Sequence, residues 1–122
     1  MRSTQSVCVG LGCLVFLAGC PPEELVCTDL AAVSVTVTVV DAAGAVVPDA
    51  SVTFAANGGA SQPCDASFEE GSFVCGYEVA GEIVVTASAP GRVDDSETVV
   101  VEMDDVGCHV VGQSVSLMLV DE

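Results

Sequence analysis

The chain has no lysine and no tryptophan, and only one histidine, one tyrosine and two arginines among its 122 residues. Each shortage excludes something. A lone histidine, His109, cannot supply the cluster of histidine and carboxylate ligands that holds a catalytic zinc. It also leaves no second histidine to serve as base for any of the serines and threonines, so no nucleophile–base pair can be assembled and no enzymatic activity is expected. Two arginines against 18 acidic residues make a surface that repels phosphate backbones, which excludes nucleic acid as a partner. Without tryptophan, few side chains are available for the aromatic platforms on which sugars stack. No segment of helical length repeats its apolar residues at the 3.6-residue period.

What is present begins with an apolar leader. Arg2 precedes Val7 to Leu17, an apolar stretch of eleven residues broken by glycine and cysteine. A hydrocarbon core of ~30 Å needs about 20 residues, so this stretch is too short to span it and has the form of an export signal. It closes on Leu17-Ala18-Gly19-Cys20, which resembles the lipobox of bacterial lipoproteins. The resemblance implies cleavage between Gly19 and Cys20 and a diacylglyceryl thioether on the Cys20 thiol. It places the protein in the bacterial cell envelope, held to the membrane through an N-terminal lipid. Pro21 follows the cysteine where aspartate would retain a lipoprotein at the inner membrane of enteric bacteria, so the outer membrane is the expected address. The expected organisation is a signal peptide over 1–19, an anchor and short acidic tether over 20–32, and one domain over 33–122.

All 18 acidic residues lie after the expected cut, where Arg92 is the only strong base. Hydrophobic residues still make up 51% of the chain, too many for a disordered acidic segment. Cys8 and Cys13 leave with the leader and Cys20 is committed to lipid. Cys27, Cys64, Cys75 and Cys108 remain, an even number in an exported domain, which points to two disulfides with three connectivities open.

From Val33 the pattern is that of strands. Val33, Val35, Val37 and Val39 alternate with Ser34, Thr36 and Thr38, the period of a strand with one buried face. Further strands are expected over 50–55, 63–68, 72–78, 82–89, 98–103 and 114–120, separated by glycine, proline and acidic turns. With Glu69 and Glu70 at a hairpin tip, Phe68 pairs with Gly71 and Cys64 falls opposite Cys75. Opposed residues hold their Cβ atoms about 4.5–5.5 Å apart, near disulfide range, so the register favours Cys64–Cys75 and leaves Cys27 to Cys108. The expected fold is all-β, a sandwich of two antiparallel sheets.

The pattern is similar to the carboxypeptidase regulatory-like domain. The matching residues are Val37-Thr38-Val39-Val40-Asp41, Gly44, Val47-Pro48-Asp49-Ala50-Ser51-Val52, Gly71-Ser72-Phe73, Val84 to Gly91 and Ser114-Val115-Ser116-Leu117. Arg92 stands where that family commonly has an aromatic residue. The resemblance implies a transthyretin-like (prealbumin-like), seven-stranded Greek-key sandwich and a non-catalytic module with a structural or interaction role. An envelope protein or a polysaccharide is the kind of partner it suggests. No cofactor is expected.

The alternative is a module that binds carbohydrate or Ca²⁺ at the cell surface. Asp94-Asp95 with Glu97, and Asp104-Asp105, are the acidic groups that invite calcium, although the glycine-punctuated spacing of known calcium loops is missing. His109, beside Cys108, is expected as a packed histidine rather than a metal ligand.

Overall fold

The computed structural model describes Cys27 and residues 30–122. The expected signal peptide, the expected lipidation and cleavage position at Gly19 and Cys20, and most of the expected tether lie outside the described residues. Among the described residues there is no helix. The strands are β1 (Val33–Val40), β2 (Ser51–Ala56), β3 (Gln62–Pro63), β4 (Asp65–Ala66), β5 (Ser72–Tyr77), β6 (Gly81–Ser88), β7 (Arg92–Val93), β8 (Asp95–Val101), β9 (Gln113–Met118) and β10 (Val120–Asp121). One four-stranded sheet has the order β4-β5-β1-β9, the other β3-β2-β6-β8, and β10 pairs with β7 in a small ribbon.

The valine alternation of β1 does what its period requires. Val35, Val37 and Val39 are fully buried, while Thr36 and Thr38 lie on the other face. Facing them from the second sheet are Val52, Phe54, Ile83, Val85, Ala87 and Val101, and one core unites the two inward faces with Val115 and Leu117 of β9. The result is a β-sandwich. Its drive is the removal of β-branched side chains from water, about 1.5–3 kcal/mol for each that is fully buried.

Two expectations are corrected. The segment 63–68 is not one strand. Pro63 pairs with Thr53 of β2, whereas Asp65 pairs with Val74 of β5, so the chain changes sheets at Cys64. Proline has no amide hydrogen to give a ladder and suits such an edge position. The sheets are also not wholly antiparallel, because β1 and β9 run parallel in the register Val35↔Gln113 to Val40↔Met118. Period-2 alternation reports which face is buried, not the direction of the neighbouring strand. Here β8 ends in the second sheet and the 102–112 loop brings the chain to the first at the end where β1 also starts. That end, with the 57–61 loop and the 78–80 connection, is called the base below.

The hairpin register is the one expected, with Ala66 opposite Phe73 and the Ser67 amide bonded to the Ser72 carbonyl at 2.9 Å. Gly71, at φ +81°, adopts a left-handed conformation that only glycine holds at no steric cost. On the opposite side of the sandwich, Met118 donates its amide to Asp95 Oδ2 at 3.0 Å and Leu119 donates to the Val40 carbonyl at 2.9 Å. These bonds, with the β7–β10 ribbon, tie the C-terminus across the two sheets.

Candidate functional site

Among the described residues, a dense set of polar interactions sits at the base and centres on Glu78, which follows β5. Its φ of +56° is a left-handed conformation that a residue with a long side chain rarely adopts. Three elements converge on it. The Glu78 amide donates to the Ala32 carbonyl at 2.9 Å, and Ala32 donates back to Glu78 Oε2 at 2.8 Å. The Val110 amide donates to Oε1 at 3.0 Å, and His109 Nδ1 meets Oε2 in a close contact. The amide of Ala32, then the His109 ring, then the Val110 amide favour the ionised carboxyl and draw its pKa below the ordinary 4.5. One side chain thus joins the start of β1, the end of β5 and the loop before β9.

The next residue continues the connection. Ser34 lies on the outward side of β1 by parity, yet it is fully buried because the 78–80 segment passes over it. Its Oγ accepts the Val79 amide at 2.7 Å. A little further on, Asn57 donates to the Ala80 carbonyl and accepts the Glu82 amide, each at 3.0 Å. The connection from one sheet to the other is held at both of its ends.

The four expected cysteines stand in two pairs at disulfide distance. Cys64 and Cys75 have Cα atoms 4.6 Å apart, and Cys27 and Cys108 have theirs 5.2 Å apart. Cys75 is fully buried and Cys64 half-buried. Cys108 is half-buried on the 102–112 loop, and Cys27 is exposed. The Cys27–Cys108 pair therefore lies next to the Glu78 hub, on the loop that also carries His109 and Val110.

Two of the acidic residues singled out for calcium, Asp95 and Asp104, serve separate tasks. Asp95 binds the Met118 amide. Asp104 Oδ1 accepts the Cys108 amide at 3.0 Å and shapes the loop. Among the described residues no three histidine, cysteine or acidic side chains are grouped as metal ligands. At the opposite end, Asp41 Oδ1 accepts the amides of Ala43 and Ala45, both at 2.9 Å. The Ala45 bond, then the Ala43 bond and the nearby Arg92 charge, draw the Asp41 carboxyl below its ordinary range. The Arg92 guanidinium donates to the Leu119 carbonyl at 3.2 Å, so it serves the C-terminal ribbon.

Two shallow clefts open beside the sheet switch. Phe54, Ala56, Pro63, Val74, Tyr77 and Val79 line one of about 350 Å³. A second, of about 260 Å³, is bordered by Asp65, Ser67, Phe68, Val74 and Tyr77. Phe68 at the hairpin is fully exposed and Tyr77 is half exposed, and both border this cleft. Glu78 has no local signature in the sequence, since its partners lie 31, 32 and 46 residues away. The Phe68 and Tyr77 juxtaposition becomes apparent only once the register of β4 and β5 is known.

No protein-family model, no curated protein and no solved structure matches the chain.

Proposed function

We propose that this protein is a lipid-anchored, non-enzymatic interaction module of the bacterial cell envelope, with Cys20 as its lipidated residue. The observation that carries the reading is the Cys27–Cys108 pair, with Cα atoms 5.2 Å apart at the base of the sandwich. Seven residues lead from Cys20 to Cys27, a reach of roughly 25 Å when extended. A domain fastened at Cys27 is therefore kept close to the bilayer with its base inward. The turns at 41–44, 67–71 and 89–94 lie at the far end, where a partner protein would meet them.

The transthyretin-like, carboxypeptidase regulatory-like fold belongs to the same proposal. Taking β3 and β4 as one bent strand and setting the short β7–β10 ribbon aside leaves seven strands. Three glycines of the resemblance, Gly44, Gly71 and Gly91, each have positive φ, which supports the reading that they are turn residues.

The test is detergent phase partition of the full chain expressed in a bacterial host, with Cys20→Ala alongside. The parent should enter the detergent phase and the variant the aqueous phase. Equal partition of the two refutes the anchor. Intact mass gives the same answer through the added acyl chains.

A second reading, carbohydrate binding, is favoured by the Phe68–Tyr77 cleft, where two aromatic edges border Asp65 and Ser67. Retention on an insoluble polysaccharide that Phe68→Ala/Tyr77→Ala abolishes would move the assignment to that reading.

A further inference from the structure

We propose that the Cys27–Cys108 pair is a thiol–disulfide exchange site, a clasp that a dithiol opens while Cys64–Cys75 and the sandwich stay closed. What opening accomplishes rests on the proposed envelope anchor, but the chemistry does not.

The two pairs differ in access. Cys27 is exposed, and its partner belongs to a loop in which the three residues before it, Asp105 to Gly107, are exposed as well. Cys75 is fully buried in β5 between β1 and β4, and its partner Cys64 sits where the chain crosses from one sheet to the other. An attacking thiolate must approach a sulfur along the S–S axis, so access governs the rate along with thiol acidity. The first pair includes a residue exposed to solvent. The second requires the hairpin to open first.

The step balances with a dithiol as reductant. One thiolate attacks Cys27 Sγ and the Cys27–Cys108 bond breaks. The electron pair leaves on Cys108 Sγ, which takes a proton from water. The second thiol of the reductant then attacks the mixed disulfide and releases Cys27 as a thiol. The clasp is reduced and the dithiol is oxidised to its own disulfide.

The structure also explains why the domain survives. The start of β1 is fixed by bonds that do not involve the clasp: the reciprocal Ala32–Glu78 pair and the Ser34–Val79 bond. The 102–112 loop is fixed by Val110 and His109 on Glu78, by the Asp104 amide on the His109 carbonyl at 2.7 Å and by the Val111 amide on the Glu102 carbonyl at 2.7 Å. Glu78 therefore marks the limit of opening. Opening frees Cys27 from the loop, and chain from Ala32 onward stays held. In an anchored protein the leash from Cys20 then grows from seven residues to twelve at most, an upper reach of roughly 40 Å when extended. The clasp sets how far the domain stands from its membrane.

The test treats the full chain in detergent micelles with dithiothreitol at neutral pH. Samples are quenched with iodoacetamide over time and mapped by peptide mass, with circular dichroism read in parallel. Cys27 and Cys108 should become alkylated at least about tenfold faster than Cys64 and Cys75, with the strand signal unchanged. Joint opening of the two pairs, earlier opening of Cys64–Cys75, or loss of strand signal with the first pair overturns the proposal. Cys27→Ser/Cys108→Ser should fold and melt in one transition, and its failure to fold overturns the proposal too. Running Cys20→Ala in the same series separates the two readings. Lost selectivity with intact Cys20-dependent partition removes only the clasp, and retained selectivity with unchanged partition removes only the anchor.

Discussion

Replacing Ser34 by alanine tests whether the connection between the sheets is held as described. The hydroxyl is fully buried and accepts the Val79 amide at 2.7 Å. Alanine removes the acceptor and leaves the donor in place. The vacated room is about one oxygen atom, less than a bridging water and its partners require. The amide is then unpaired away from solvent, which costs about 1–3 kcal/mol. The added apolar character of alanine offsets only a few tenths of that, so a loss of about 2 kcal/mol is expected. For a domain of this size it corresponds to a fall in Tm of roughly 8–16 °C. Urea unfolding followed by circular dichroism measures it, with an unchanged m-value showing that the native fold persists. Ser116→Ala, an exposed serine on β9, is the control and should stay within about 0.5 kcal/mol of the parent. If Ser34→Ala unfolds at the same urea concentration as this control, the Val79 amide has another partner and the account of the base is wrong.

Acid should weaken the same region. The Glu78 carboxyl has a folded-state pKa below the ordinary 4.5, so its contribution is fully present above pH 4.5 and is lost as pH falls through the lowered value. Glu78→Gln should therefore flatten the decline of urea midpoint below pH 4.5, and a decline as steep as the parent's contradicts the hub. Gly81→Ala and Gly44→Ala should separate clearly. Both positions have positive φ, +112° and +84°, but a Cβ at Gly81 would fall 2.1 Å from Asn57 Oδ1 whereas at Gly44 nothing lies within 4 Å. Gly44→Ala should cost about 1–2 kcal/mol, and Gly81→Ala about 1 kcal/mol or more beyond that, because Asn57 must give up bonds to Ala80 and Glu82. Equal thermal shifts would show that the Asn57 side chain is not fixed.

Local matters are legible in the sequence: where most of the strands fall, which side of each is buried and where the hairpin turns, although β8 begins at Asp95 instead of 98 and the strand expected over 114–120 breaks at Leu119. These follow from alternation and turn residues within reach of one another, as Val35, Val37 and Val39 or Glu69-Glu70-Gly71 show, because a strand's side chains must point to opposite faces whatever lies beyond. The resemblance of Leu17-Ala18-Gly19-Cys20 to a lipobox is also local, a run of four residues, and owes nothing to the fold. That the chain changes sheets at Cys64, that β9 lies parallel to β1, and that Glu78 gathers Ala32, His109 and Val110 emerges from long-range packing alone. Those features depend on which distant segments become neighbours, and closure of a long loop leaves no mark on the residues that will meet. The buried Ser34 shows the boundary between the two. Its position in the alternation assigns it to the outer face, and only the passage of the 78–80 connection over that face takes it out of water.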